Sequence, residues 1–109
     1  MNANDYLRQY NCTDGYFRYS FGLLITEGVK TLADDWKCYW LLDVIASYYP
    51  ELKGEEFQVW ELTVNQDRTA LVSCNDGNGN VIQEQRIPYT DFRGTNATVW
   101  VEGNVILLP

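Results

Sequence analysis

This chain contains no histidine, and that limits the chemistry open to it. A Ser-His-Asp or Cys-His site cannot be built, and a metal site loses its commonest ligand. Carboxylates remain for general acid–base work. Asp34-Asp35 and Glu55-Glu56 are adjacent pairs, and neighbours in sequence usually point apart and stay solvated. Asp43 is the odd one, because it stands alone inside an apolar run, WKCYWLLDVIASYY, at residues 36–49. A buried carboxylate without partners costs several kcal/mol, so it must be paired, solvated or protonated. The plainer expectation is a structural acceptor for a tyrosine, tryptophan or arginine. The sharper one is a functional carboxylate in an aromatic pocket with Tyr39 and Trp40, and core packing is the more usual fate of such aromatics.

The remaining motifs are weak. The loop Asp76-Gly77-Asn78-Gly79-Asn80 begins like a calcium loop, but its sixth position is Val81 and its twelfth is Ile87, where glycine and glutamate are needed. A hairpin loop explains it better. Its glycines lead into a strand with no following lysine, so they do not cradle phosphate. Cys12, Cys38 and Cys74 are scattered and odd in number, which suits neither a disulfide framework nor zinc. No cofactor and no metal are expected.

The apolar run must be positioned by a helix. Its length and period favour helix over strand, and it is too short to span a bilayer. Apolar residues cover most of its circumference, which predicts a buried helix with Asp35 as N-cap and Pro50 as stop. A shorter helix is expected over 26–34, capped by Thr26, with a tight corner at 33–36. Residues 2–10 suit a further short helix and 11–15 a turn. Residues 16–25 fit neither period and read as an irregular connector whose aromatics complete the core.

After a polar linker at 51–56 the pattern changes to strands. Alternation predicts them at 57–64, 69–74, 81–89, 97–101 and 105–108, with Gly103-Asn104 as a hairpin turn. The expected fold is one α+β domain in two layers. Its mainly helical residues 1–50 would pack as N-terminal helices on a four- to five-stranded antiparallel sheet from 57–109.

The 109 residues carry 15 acidic and 8 basic side chains, for a formal net charge of −7. This argues against direct binding of nucleic acid or anionic membrane and permits a protein partner with a basic surface. Asp34, Asp35, Glu51, Glu55 and Glu56 cluster in sequence about both ends of the central helix and are the expected interaction surface, although a plain solvated surface has the same composition. No basic patch followed by an apolar stretch opens the chain, so a cytoplasmic location is expected.

Several segments resemble a family of small bacterial, phage and plasmid proteins of unknown function. They are TEGVKTLA at 26–33, YWLLDVIASY at 39–48, FQVW at 57–60, DGN at 76–78 and YTDF at 89–92. The junction at 34–38, DDWKC, departs from the small-residue junction of that pattern. The resemblance brings no activity and no functional residues. It implies a cytosolic protein of a mobile element. The expectation is therefore a non-enzymatic interaction protein, such as an acidic inhibitor of a host nucleic-acid-binding defence protein, a CRISPR effector included. The alternative is a small enzyme or ligand-binding domain using carboxylates in an aromatic pocket near Asp43.

Overall fold

The sheet is built outward from its most regular strand. A computed structural model describes residues 16–52, 54–92 and 94–109. Strand β3 (Phe57–Val64) alternates as the sequence predicts, turning Gln58, Trp60 and Leu62 into the core. It pairs antiparallel with β4 (Ala70–Asn75) on one side and β6 (Asn96–Glu102) on the other. Strand β5 (Val81–Ile87) extends the sheet past β4, and β7 (Val105–Leu107) extends it past β6 through the Gly103-Asn104 turn.

Two further strands come from the region read as a connector. They are β1 (Tyr16–Arg18) and β2 (Leu24–Thr26), and β2 joins β7 in parallel, with Leu24 opposite Val105 and Ile25 opposite Ile106. The result is a seven-stranded mixed sheet in the order β1-β2-β7-β6-β3-β4-β5. The expected four- to five-stranded antiparallel sheet beneath N-terminal helices is thus wrong. The helices described lie between β2 and β3, and strands occur in both halves of the chain. The expected helix at 2–10, the turn at 11–15 and Cys12 lie outside the described residues.

Helix α1 (Glu27–Asp35) starts where Thr26 Oγ1 accepts from Val29 N at 3.3 Å, with Glu27 suiting the positive end of the dipole. It buries Gly28, Val29, Leu32 and Ala33. Asp35 is its last residue and not the cap of the next helix. The corner falls slightly later than expected. Lys37 takes φ +55, and Cys38 N donates to Ala33 O at 3.2 Å, a Schellman-type closure with a lysine where glycine is commoner. Helix α2 (Tyr39–Leu52) follows and runs two residues beyond Pro50.

Helix α2 is not buried all round. Leu41, Leu42, Ile45 and Ala46 face the core, whereas Tyr39, Asp43, Ser47, Pro50 and Glu51 are exposed. Its aromatics misled the reading, because Trp40, Tyr48 and Tyr49 are only half-buried. Tyrosine and tryptophan each combine an apolar body with a polar tip and sit well at a boundary. Tyr48 stacks on Trp60 at 6.1 Å between centroids and donates to Gln85 Oε1 at 3.1 Å, which ties α2 to β3 and β5.

Two loops hold the strands in register. In the β3–β4 turn Arg68 adopts φ +71, and its guanidinium donates to Thr90 O at 3.0 Å and Phe92 O at 2.6 Å, anchoring the segment after β5. In the β4–β5 turn Asp76 accepts from Asn78 N, Asn80 N and Asn80 Nδ2. Its oxygens organise the hairpin loop. Gly77 there has φ +89, and a Cβ would stand 2.9 Å from Phe57 Cδ2, so only glycine fits.

Cys38 and Cys74 are buried free thiols. Burial pushes each up to about 12, with nearby Glu55 adding to the effect at Cys74. An unfolded thiol ionises near 8.5, so folding holds both protons in place and contributes stability that is complete below about pH 8.5 and lost as pH rises toward 12. Urea midpoints are expected to fall above about pH 8.5, at up to about 1.4 kcal/mol per pH unit and thiol. Cys38→Ala should flatten that slope; an unchanged slope would assign it elsewhere.

Candidate functional site

The exposed stripe of α2 follows from helical geometry. Tyr39, Asp43, Ser47 and Glu51 recur every fourth residue, so they stack along one face. Asp43 and Glu51 are thereby about 12 Å apart along the axis. Asp34 and Asp35 lie beyond the N-terminal end of α2, and the exposed Glu55 and Glu56 beyond its C-terminal end. The five acidic residues taken from the sequence therefore fall in two groups, Asp34 and Asp35 before α2 and Glu51, Glu55 and Glu56 in and after its last turn, with Asp43 between them in the chain.

Asp34 and Asp43 are held by neighbours. Tyr39 Oη donates to Asp34 Oδ1 at 2.6 Å, and Lys30 Nζ donates to Asp34 Oδ2 at 2.9 Å. The Tyr39 hydrogen bond, then that of Lys30, holds the Asp34 carboxyl below its usual range. Tyr39 and Lys30 are both pushed up by the same carboxylate. Tyr19 Oη donates to Asp43 Oδ1 at 2.5 Å. Burial, then this bond, raises the Tyr19 phenol above its usual range, so it stays a donor.

Sequence reasoning missed Tyr19 and the aromatics beside it. They were expected to complete the core, yet Tyr16, Phe17 and Phe21 are exposed, Phe21 by 64%. Phe21 sits in the 3-10 turn Ser20–Gly22, which packs against α2, and takes φ +60. A bulky residue there is a genuine outlier and carries local strain. Lys30 Nζ lies 5.6 Å from the Phe17 ring centroid. The stripe thus has an aromatic shoulder. The four aromatics and a glycine within 16–22 were the one available signal, but they do not say which way the rings turn.

Tyr39, Asp43 and Trp40 do not share a pocket. Tyr39 and Asp43 lie on the exposed stripe, while Trp40 turns about 100° away toward β5. There it lines an open cleft of about 570 Å³ with Val44, Gln85, Ile87, Tyr89, Thr90 and Asp91. Its Nε1 is shielded from solvent and has no acceptor among the described residues. Among the described residues, no three acidic or cysteine side chains lie close enough to hold a metal ion. Among them, too, no helix is long and apolar enough to cross a membrane.

The class this architecture defines is a mixed sheet with two helices inserted between its second and third strands. The chain belongs to a family of unknown function, DUF6876, whose model matches residues 1–109. No curated protein and no solved structure matches it.

Proposed function

We propose that this is a non-enzymatic, cytoplasmic interaction protein that sets the acidic outer stripe of α2 against a basic surface on a protein partner. The observation that supports this reading is the place of Asp43. It sits mid-helix among apolar residues in sequence, yet it is exposed, fixed by Tyr19 and aligned with Glu51. Asp34 and Asp35 just before α2, and Glu55 and Glu56 just after it, are exposed as well. Fixed carboxylates lose little conformational freedom on binding. Surfaces that bind phosphates are basic, and exposed carboxylates can occupy them. Nucleic-acid-binding proteins therefore offer the fitting kind of surface. A host defence nuclease, such as a CRISPR effector, is the first partner to test, given the resemblance to proteins of mobile elements.

The test is capture of a partner from host lysate, followed by salt titration and competition. Binding is expected to weaken steeply with salt, and DNA is expected to compete for the same site. Asp43→Lys with Glu51→Lys should weaken binding at least about tenfold, because like charges across an interface are strongly disfavoured. A partner held unchanged in high salt, or one that binds DNA and this protein together, would sink the proposal.

A further inference from the structure

We propose that β5 is a self-pairing edge, through which two copies of this chain join antiparallel with Glu84 of each opposite Arg86 of the other. Strand β5 ends the sheet and pairs only with β4 among the described residues. The direction of its free backbone groups can be read from one bond. Glu84 lies opposite Ser73 of β4, yet its N–H donates to Gln83 Oε1, in its own strand, at 3.1 Å. The Glu84 N–H therefore points away from β4. By the alternation of an antiparallel ladder, the backbone groups of Arg86 point the same way, and those of Gln83, Gln85 and Ile87 point toward β4.

Two copies can bond through this edge only if outward-pointing residues oppose each other. A two-fold axis through Glu84 would set glutamate against glutamate. An axis through Arg86 would set arginine against arginine and place Pro88, which has no N–H, opposite Glu84. An axis through Gln85 sets Glu84 against Arg86 on both sides of the axis, and each such pair exchanges both backbone bonds. The arrangement is self-complementary, as an isologous interface requires. In it the Glu84 N–H leaves the Gln83 side chain for the carbonyl of Arg86 in the second copy.

The ends of the edge fit the same register. Val81 is 57% exposed and Tyr89 is 68% exposed, two of the most exposed large apolar side chains described. The axis through Gln85 places Val81 of one copy at the position opposite Tyr89 of the other. The β4–β5 ladder is irregular at Cys74/Asn75, so the regular part of the new ladder starts at Gln83 and Val81 stands at its rim. Pro88 ends the ladder beyond Ile87.

The test uses the full chain in sedimentation over a range of concentrations. The wild type is expected to dimerise as concentration rises. Glu84→Arg alone and Arg86→Glu alone each create like charges at both pair positions and should weaken self-association at least about tenfold. Both positions are exposed, and circular dichroism checks that each variant keeps its fold. An equimolar mixture of the two variants places opposite charges at both positions again and should recover dimers. A wild type monomeric at every concentration would overturn the proposal. So would a dimer indifferent to both changes, or two weakened variants that fail to complement each other. None of these readings depends on the acidic stripe or its partner.

Discussion

Replacing Trp60 by alanine is expected to cost about 3–5 kcal/mol, the range of large aromatic truncations in a core. Trp60 is 1% exposed at the centre of the sheet, and its ring stacks with Tyr48 of α2. Its removal leaves a cavity between the sheet and the helix, and strands on both sides of β3 limit how far the site can collapse. The exposed Glu55→Ala is the control and should change stability by less than about 0.5 kcal/mol. Urea melts of the two variants measure this, and equal midpoints would show that Trp60 does not hold the layers together.

Gln58→Leu is expected to cost about 1–3 kcal/mol, although it puts a more apolar residue in the core. Gln58 is 1% exposed, with Nε2 donating to Leu52 O at 3.1 Å and Oε1 accepting from Trp60 Nε1 at 2.9 Å. It therefore satisfies a carbonyl at the C-terminal end of α2 and the buried indole at once. Leucine would leave the buried indole without its acceptor, at about 1–3 kcal/mol, whereas the Leu52 carbonyl would keep its bond from Glu55 N at 2.8 Å. The two variants should not add, because Trp60→Phe already removes the indole donor. In that background Gln58→Leu should cost less, and a double-mutant cycle reads the difference. Strict additivity would show that the Gln58–Trp60 bond contributes nothing.

What could be read in advance depended on repetition. Strands β3, β4, β6 and β7 were legible because alternation and turn formers agreed along them, from Gln58-Trp60-Leu62 to the Gly103-Asn104 turn. Strands β1 and β2 were not, since each has three residues and no period can be seen in three. The parallel joining of β2 to β7 links residues some eighty positions apart and leaves no local mark. Helix α2 was legible as an element, but it starts and ends about three residues later than expected, and its faces were misjudged because tyrosine and tryptophan were counted as interior. That error also hid the position of Asp43. The acidic residues at the ends of α2 were legible from charge alone, whereas Tyr19 and Phe21 depend on a turn with positive φ at a non-glycine residue.

The parallel joining of β2 to β7 also constrains the order of assembly during synthesis. Residues 24–52 leave the ribosome long before Ile106, so β2 and both helices spend that interval without the strand on which β2 closes. Contacts of such separation must await chain closure and form slowly. The apolar faces of α1 and α2 stay uncovered meanwhile, the state in which nascent chains aggregate. Loss of Val105–Leu107 should therefore free the far edge of the sheet as a unit, releasing β1 and β2 from a remnant of β6, β3, β4 and β5.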